Sequence, residues 1–436
     1  MPTAAFTTLG CKVNQYETQR ILDSFESNGF QVVPFDAPAD VYVVNTCSVT
    51  SQAESKSSYT VRRAKRANPR GLVVVTGCAA QMALNKGTSV PGADLVVPNP
   101  EKLDTFARFE AKFGALVQAA RARPAVGRSV QGRTRATLKL QDGCDVRCSY
   151  CSIPSTRPRM SSRPWKDVLA EAQRLAEAGY QEAVLSGVLI GAYGPETGSE
   201  GPRFEDIVEL LSRESGLARI RVSSIEAHHV TPRLTSLAAE GRVAPHFHVP
   251  LQSGDDHVLR DMNRRYSRGD YIRLCERLES TVPEVMVTTD IMVGFPTESE
   301  DRFESTMELA RQVRFLKAHV FRFSPRVGTK ADQWGDPVPS ATKQERARRL
   351  AELAAETGRL RVRQMVGKTV RVLIETKLSS DGLLEGLSDN GVTVRTTGPM
   401  SAQRTFRWVR IDEERDGRAH GEIVARPSLN VGSQCL

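Results

Sequence analysis

Short apolar runs rich in β-branched residues alternate with longer amphipathic stretches through the first part of the chain. Residues 5–10, 41–46 and 72–77 are such runs, and each leads directly into a cysteine: Cys11, Cys47 and Cys78. Near-continuous hydrophobicity over so few positions is the pattern of strands covered on both faces of a parallel sheet. An open parallel α/β sheet domain is therefore predicted over residues 1–112. Residues 113–134, rich in Ala, Arg and Gly, read as a linker. Alternation then resumes, with strands predicted at 137–141, 182–186, 219–224, 246–250, 285–293 and 319–324. Between the first two, Val168, Leu169, Ala172, Leu175 and Ala176 form one helical stripe closed by Gly179. Six strands in βα units predict an open partial (β/α)6 barrel over 135–364, with sites built at the carboxyl ends of its strands. Its last helix, 343–363, is so rich in charge that it reads as a solvated face. Five short runs follow at 370–375, 383–387, 392–396, 405–411 and 421–425, separated by turns such as Asp389-Asn390-Gly391. They predict a small all-β barrel within 365–430, so the fold class is α/β with an all-β appendage.

At 436 residues and 40% hydrophobic content, the chain has room for two or three cores. Eight cysteines are too sparse for a disulfide scaffold, and six of them sit in or beside motifs, which points to metal chemistry in a reducing, cytoplasmic setting. The first twenty residues hold no apolar segment of the signal-peptide kind, and no apolar run reaches the length of a membrane span, so neither is expected. A net charge of +9 favours a polyanionic partner, and the local distribution sharpens this. Residues 118–163 carry ten Lys or Arg (Arg121, Arg123, Arg128, Arg133, Arg135, Lys139, Arg147, Arg157, Arg159 and Arg163) against only Asp142 and Asp145. A phosphate backbone meeting that stretch would release counterions.

In the middle of this basic stretch stands Gln141-Asp142-Gly143-Cys144-Asp145-Val146-Arg147-Cys148-Ser149-Tyr150-Cys151. Three thiolates in one short loop leave one iron of a 4Fe-4S cluster without a protein ligand, because closed clusters use four. Structural zinc wants four closely organised Cys or His, and the first histidine downstream is His228. A second site is suggested by Cys11, Cys47 and Cys78. Any one of these alone reads most simply as a small buried residue. Three at equivalent strand ends converge at one sheet edge and point to a second cluster, again with an open iron. His228, His229, His246 and His248 read as structural, and Cys275 and Cys435 as incidental.

The Cys-x3-Cys-x2-Cys loop with Tyr150 before its last cysteine resembles the signature of radical S-adenosylmethionine (SAM) enzymes. In that family the open iron chelates SAM, and an electron from the cluster cleaves it to a 5′-deoxyadenosyl radical. Together with Cys11, Cys47, Cys78 and the terminal barrel, the chain resembles the radical SAM methylthiotransferases over nearly its whole length. Further matching segments are Ser223-Ser224-Ile225-Glu226, Pro250-Leu251-Gln252-Ser253-Gly254, Met262-Asn263-Arg264-Arg265-Tyr266, Val293-Gly294-Phe295-Pro296 and Phe323-Ser324-Pro325-Arg326-Val327-Gly328-Thr329. The resemblance implies two 4Fe-4S clusters, SAM as co-substrate, a sulfur species on the Cys11, Cys47 and Cys78 cluster, and methylthio transfer to an unactivated C–H bond. Candidate SAM contacts are Tyr150, Gly187, Glu226 and Gly294, each with strand-end packing as the plainer alternative.

The terminal segment looks like the TRAM domain, which implies a grip on tRNA; a docking domain without RNA contact is the competing reading. Thr8-Leu9-Gly10-Cys11-Lys12-Val13-Asn14-Gln15-Tyr16-Glu17-Thr18 is similar to the branch that methylthiolates N6-threonylcarbamoyladenosine beside the anticodon. The branches acting on isopentenyladenosine and on a ribosomal-protein aspartate usually carry Gly-Cys-Gln-Met-Asn and Gly-Cys-Pro-Lys-Asn there. The implied partners are a tRNA anticodon stem-loop, an electron donor such as a flavodoxin or ferredoxin, and a sulfur source, with no membrane. Pro158 and Leu189 depart from the family pattern. A non-enzymatic iron-sulfur RNA-binding or electron-transfer protein is the alternative of another class, and two open triads count against it.

Overall fold

Three six-residue runs form the centre of an all-parallel sheet. The computed structural model describes residues 1–122, 133–194 and 201–427; residues 123–132 of the expected linker and Cys435 lie outside them. Strands β1 (Thr3–Thr8), β2 (Gln31–Val33), β3 (Val41–Thr46), β4 (Leu72–Gly77) and β5 (Leu95–Val96) stand in the order β2-β1-β3-β4-β5. Helices α1 (Lys12–Ser27), α2 (Ser51–Ala67) and α3 (Cys78–Asn85) follow β1, β3 and β4. The sheet is capped by α4 (Thr105–Arg121), which overturns the linker reading for residues 113–121. Val117 and Ala120 of α4 bury against Phe25 and Phe30, an amphipathic stripe masked by the Ala and Gly around it.

The middle of the chain supplies β6 (Ala136–Asp142), β7 (Ser161–Ser162), β8 (Glu182–Gly187), β9 (Arg219–Val222), β10 (His246–His248), β11 (Met286–Val293) and β12 (Lys317–Arg322). β6, β8 and β9 run parallel, as do β10, β11 and β12, and the bridge Ser224↔His248 joins the two sheets into an open six-stranded partial barrel. Two-residue β7 pairs antiparallel with the end of β6. One large core fills the space between the strands and their outer helices, with Leu138, Leu185, Ile220, Phe247 and Ile291 all but inaccessible. Alternation along the strands then turns Lys139, Glu182, Arg221, His248 and Asp290 to the other face, inside the barrel.

Strands β13 (Thr369–Leu378), β14 (Leu384–Ser388), β15 (Thr393–Thr397), β16 (Phe406–Arg415) and β17 (Arg418–Val424) close into a barrel in the order β13-β14-β15-β17-β16. Its core extends onto Met286, Val362 and Met365 of the middle region, so the barrel is packed against its neighbour. The helix Ser340–Arg363 departs from its reading as a solvated face. Lys343 and Arg346 are buried, Lys343 donating to the Phe323 carbonyl at 3.1 Å and Arg346 to Glu298 Oε1 at 2.8 Å. Charge-rich composition hid two cations with dedicated partners. Among the described residues no helix is long and apolar enough to cross a membrane.

Candidate functional site

The carboxyl edge of the first sheet brings Cys11, Cys47 and Cys78 together. Cys11 caps α1, Cys47 follows β3, and Cys78 opens α3. Gly10, at φ +95, lets the chain pass close to Cys47; a Cβ there would stand 2.7 Å from Cys47 Sγ. Burial raises the Cys11 and Cys47 thiols, Cys47 to about 11, and their neighbours in the triad raise them further. The Val49 amide donates to Cys47 Sγ at 3.5 Å and Asn99 Nδ2 to Cys78 Sγ at 3.7 Å.

The second triad lies in the loop after β6. Burial again raises Cys144 and pushes Cys151 to about 12, with the other thiols of the loop adding to it. Ile153 N donates to Cys151 Sγ at 3.5 Å, and Arg264 Nη1 to Cys148 Sγ at 3.3 Å. The segment Met262-Asn263-Arg264-Arg265-Tyr266 clamps this loop. Asn263 Nδ2 donates to the Val146 carbonyl at 2.8 Å and the Arg147 carbonyl at 3.1 Å, and Ser149 N donates to the Met262 carbonyl at 3.1 Å.

Crowded thiols that resist ionisation become good ligands once a metal charge displaces their protons. Donors aimed at the sulfurs are the kind that tune iron-sulfur clusters. Both triads fit such a group. Among the described residues no three His, Cys, Asp or Glu converge on a single ion; a cluster takes a wider triad, since each thiolate binds its own iron.

Between the triads runs a buried ionic network that sequence reasoning missed. Glu17 accepts from Lys102 and Lys139, each at 2.7 Å, and from both arms of Arg157, at 2.9 and 2.7 Å. Arg157 also donates to Asp142 at 2.7 Å and to Asn14 Oδ1 at 2.9 Å. Three cations against two carboxylates leave one positive charge in excess. That excess faces the first triad, since Arg157 favours the Cys11 thiolate and Cys78 in turn favours the charged forms of Arg157 and Lys102. Asn14 and Glu17 lie in α1 beside Cys11, and Asp142 lies two residues before Cys144, so the network ties one triad's support to the other's. The one available signal was Glu17 itself, an acid at a core-facing position of α1.

The four candidate SAM contacts all lie at or after the strand ends of the partial barrel. Tyr150 is half-buried, its ring 6.5 Å from Phe295 in an edge contact. Gly187 ends β8, and a Cβ there would stand 3.1 Å from Ile190 and 3.3 Å from Gln141. Glu226 accepts from Arg264, the same guanidinium that reaches Cys148. Gly294, at φ +71, donates its amide to Glu298 Oε1 at 2.7 Å, and a side chain there would run into Lys343. The divergent Leu189 is buried, its amide donating to Gln141 Oε1 at 2.7 Å, and the divergent Pro158 is exposed. His246 and His248 bond Thr288 Oγ1 at 3.1 and 3.0 Å, and Cys275 is buried in the large core.

A partial barrel with a three-cysteine loop at the carboxyl end of its first strand defines a radical SAM enzyme, and residues 138–310 match the radical SAM superfamily. Residues 3–98 match the uncharacterized protein family UPF0004. The chain is 35% identical to the threonylcarbamoyladenosine tRNA methylthiotransferase MtaB of Bacillus subtilis (strain 168), with 90% of each chain covered. It is 34% identical to the MtaB of Chlamydia pneumoniae over 97% of this chain and 98% of that one. To the tRNA-2-methylthio-N(6)-dimethylallyladenosine synthase of Geobacillus kaustophilus (strain HTA426) it is 32% identical, covering 96% and 81%. The chain belongs to the radical SAM methylthiotransferase family and is of its MtaB type. With that membership come SAM and iron-sulfur chemistry. In fold it resembles the radical SAM methyltransferase TsrM of Kitasatospora setae, at a TM-score of 0.53 and 14% identity over 76% of this chain and 77% of that one.

Proposed function

We propose that this enzyme methylthiolates C2 of N6-threonylcarbamoyladenosine next to the anticodon of tRNA. The observation that carries the reading is the pair of thiol triads held by one buried network, in a chain 35% identical to an enzyme named for that nucleoside. Cys144, Cys148 and Cys151 are assigned to the SAM-binding 4Fe-4S cluster, and Cys11, Cys47 and Cys78 to a second cluster that holds the sulfur to be transferred. When bound, SAM and the clusters supply the methyl group, the sulfur and the radical that opens an aromatic C–H bond, which acid-base groups alone do not activate.

The chain's own residues do the positioning. Arg264 neutralises charge at Cys148 while its other arm holds Glu226. Asn263 fixes the carbonyls of the cluster loop, and Tyr150, Gly187, Glu226 and Gly294 are assigned to the SAM side of the same space. The terminal barrel is assigned to the tRNA. An electron donor and a sulfur source complete the reaction.

Mass spectrometry of tRNA nucleosides from a deletion strain tests the substrate, with 2-methylthio-threonylcarbamoyladenosine expected to vanish and to return with the gene. An unchanged peak overturns the reading, and loss of the dimethylallyl product instead moves the enzyme to the other tRNA branch. Anaerobic reconstitution tests the clusters: about eight irons per chain are expected, and about four would remove the second site.

A further inference from the structure

The terminal barrel sits on the amino-terminal ends of the partial-barrel strands, whereas the cysteine loop and the candidate SAM contacts lie at the carboxyl ends. Its turn Asp389-Asn390-Gly391, between β14 and β15, makes the contact. Arg219 and Arg221 of β9 donate to Asp389 Oδ1 at 2.7 Å and to the Ser388 carbonyl at 3.0 Å. Asn390 Nδ2 donates to the Glu284 carbonyl, just before β11, at 3.2 Å. Gly391 lies so close to His246, the first residue of β10, that a Cβ would stand 2.7 Å from its ring. Glu182 accepts from both arginines, and all three side chains are buried. Buried charges with matched partners resist sliding, because a shift leaves one of them uncompensated. The barrel is therefore held at a fixed place, one strand length from the chemistry.

One uncovered side leads from the barrel to that chemistry. β12 is the edge of its sheet, paired only with β11 among the described residues. Ala318 and Val320 pack on the large core, which turns Lys317, His319 and Phe321 to the other face, and all three are exposed. The His319 ring lies 5.9 Å from that of His248, so this face is the open side of the barrel interior. At the foot of β12, where the terminal barrel meets the helix Ser340–Arg363, is a cleft of about 400 Å³. Lys317, Arg359 and Arg418 line it against a single acid, Asp416. Arg418 lies 3.8 Å from Glu385, whereas Lys317 and Arg359 make no ion pair among the described residues. Lysine on a free strand edge disfavours pairing with another strand. Unpaired cations beside an exposed aromatic ring suit instead a polyanion that carries bases.

We infer that the RNA runs along the free edge of β12, from the cleft of Lys317, Arg359 and Arg418 to the cysteine loop, and that the fixed barrel sets how much RNA must flank the target base; this rests on the substrate reading given above. The six residues of β12, at about 3.3 Å each, put the two ends about 20 Å apart. Stacked bases at about 3.4 Å per step cover that distance in roughly six steps. RNA shorter than this reaches only one of the two grips. Longer RNA gains from both, as a ligand of two linked sites does.

The test uses the reconstituted full-length enzyme and hairpins that carry threonylcarbamoyladenosine in the loop, on stems of about three, six and nine base pairs. A second set carries dimethylallyladenosine. At one salt concentration, equilibrium affinity of the wild type is expected to rise by about tenfold or more from the shortest stem to the longest, most of it gained by the middle one. Lys317→Glu combined with Arg359→Glu, two exposed positions, should bring the longest hairpin within about twofold of the shortest. Asp389→Lys, set against Arg219 and Arg371, should open the barrel contact, read as faster hydrogen exchange over residues 386–391, and should lose the same gain. A wild type indifferent to stem length overturns the inference, as does the double variant with its gain intact. A contact that stays closed in Asp389→Lys, or a gain that survives its opening, overturns the fixed barrel. Turnover of the dimethylallyl set alone overturns the substrate reading instead, and the dependence on stem length is then read on that set.

Discussion

Glu17 sets two carboxylate oxygens against three buried cations. Burial opposes its ionisation, but Lys102, Arg157 and Lys139 overcome that cost and hold the carboxyl well below the usual glutamate range. A depressed folded value stabilises the protein above the unfolded value of about 4.5, and the contribution is lost as pH falls through the folded value. Glu17→Gln leaves Asp142 alone against three cations. The expected loss is about 3–5 kcal/mol at neutral pH, read from chemical denaturation, with a flatter acid limb than the wild type. A loss below about 1 kcal/mol would place the network in solvent. The cysteines were readable because each motif is contiguous, or repeats at matching strand ends. The Glu17–Arg157 pair spans 140 positions, and nothing local marks it; in the sequence Arg157 stands out only as one basic residue among ten.

At the scale of elements, the helix Ser340–Arg363 braces the segment that begins at Gly294. Arg346 donates to Glu298, Glu298 accepts from the Gly294 amide, and Lys343 fills the space where a residue-294 side chain would point. Burial pushes Glu298 to about 7, although the Gly294 amide and Arg346 both favour its charged form, and Glu298 Oε2 is left without a partner. An acid raised on folding contributes stability that is fully present below its unfolded value of about 4.5 and lost as pH rises through about 7. Glu298→Gln removes that dependence. Melting temperatures at pH 5.5 and 7.5 should therefore differ less in the variant than in the wild type, and an unchanged difference would assign Glu298 an ordinary carboxyl. Of the strands that carry the triads, β3 and β4 were legible as covered parallel strands of mainly apolar residues, while β1 and β6 were read from shorter apolar stretches that end at a cysteine motif. Edge strands β2 and β5 were not, being three and two residues long and incompletely buried. The brace was illegible because its charges resemble those of any solvated helix until Glu298, Lys343 and Arg346 are seen to be buried.

Over the whole molecule, half of the ten basic residues concentrated in 118–163 are paired with acidic side chains rather than left free for a polyanion. Of the ten in 118–163, Lys139 and Arg157 are buried in the network, while Arg121, Arg135 and Arg163 pair with Glu110, Glu375 and Glu171. Arg133 donates to Gln15 Oε1, and Arg123 and Arg128 lie outside the described residues. Arg147 and Arg159 are exposed, without an ion pair among the described residues; Arg147 stands within the cluster loop, between Cys144 and Cys148, and Arg159 follows the loop. Of the described cations of this stretch, these two are expected to meet a phosphate backbone, whereas Lys139, Arg157, Arg121, Arg135 and Arg163 are paired within the protein. For Arg147→Ala combined with Arg159→Ala, the slope of log affinity for tRNA against log salt should fall by about 1.4, near 0.7 for each single-strand phosphate no longer neutralised. Affinity should drop alike for threonylcarbamoyl-modified and unmodified stem-loops, because phosphate contacts position the nucleic acid without reading its bases. A change confined to the modified stem-loop would move both arginines from backbone contact to recognition of the base. An unchanged slope would shift the electrostatic grip to the terminal barrel.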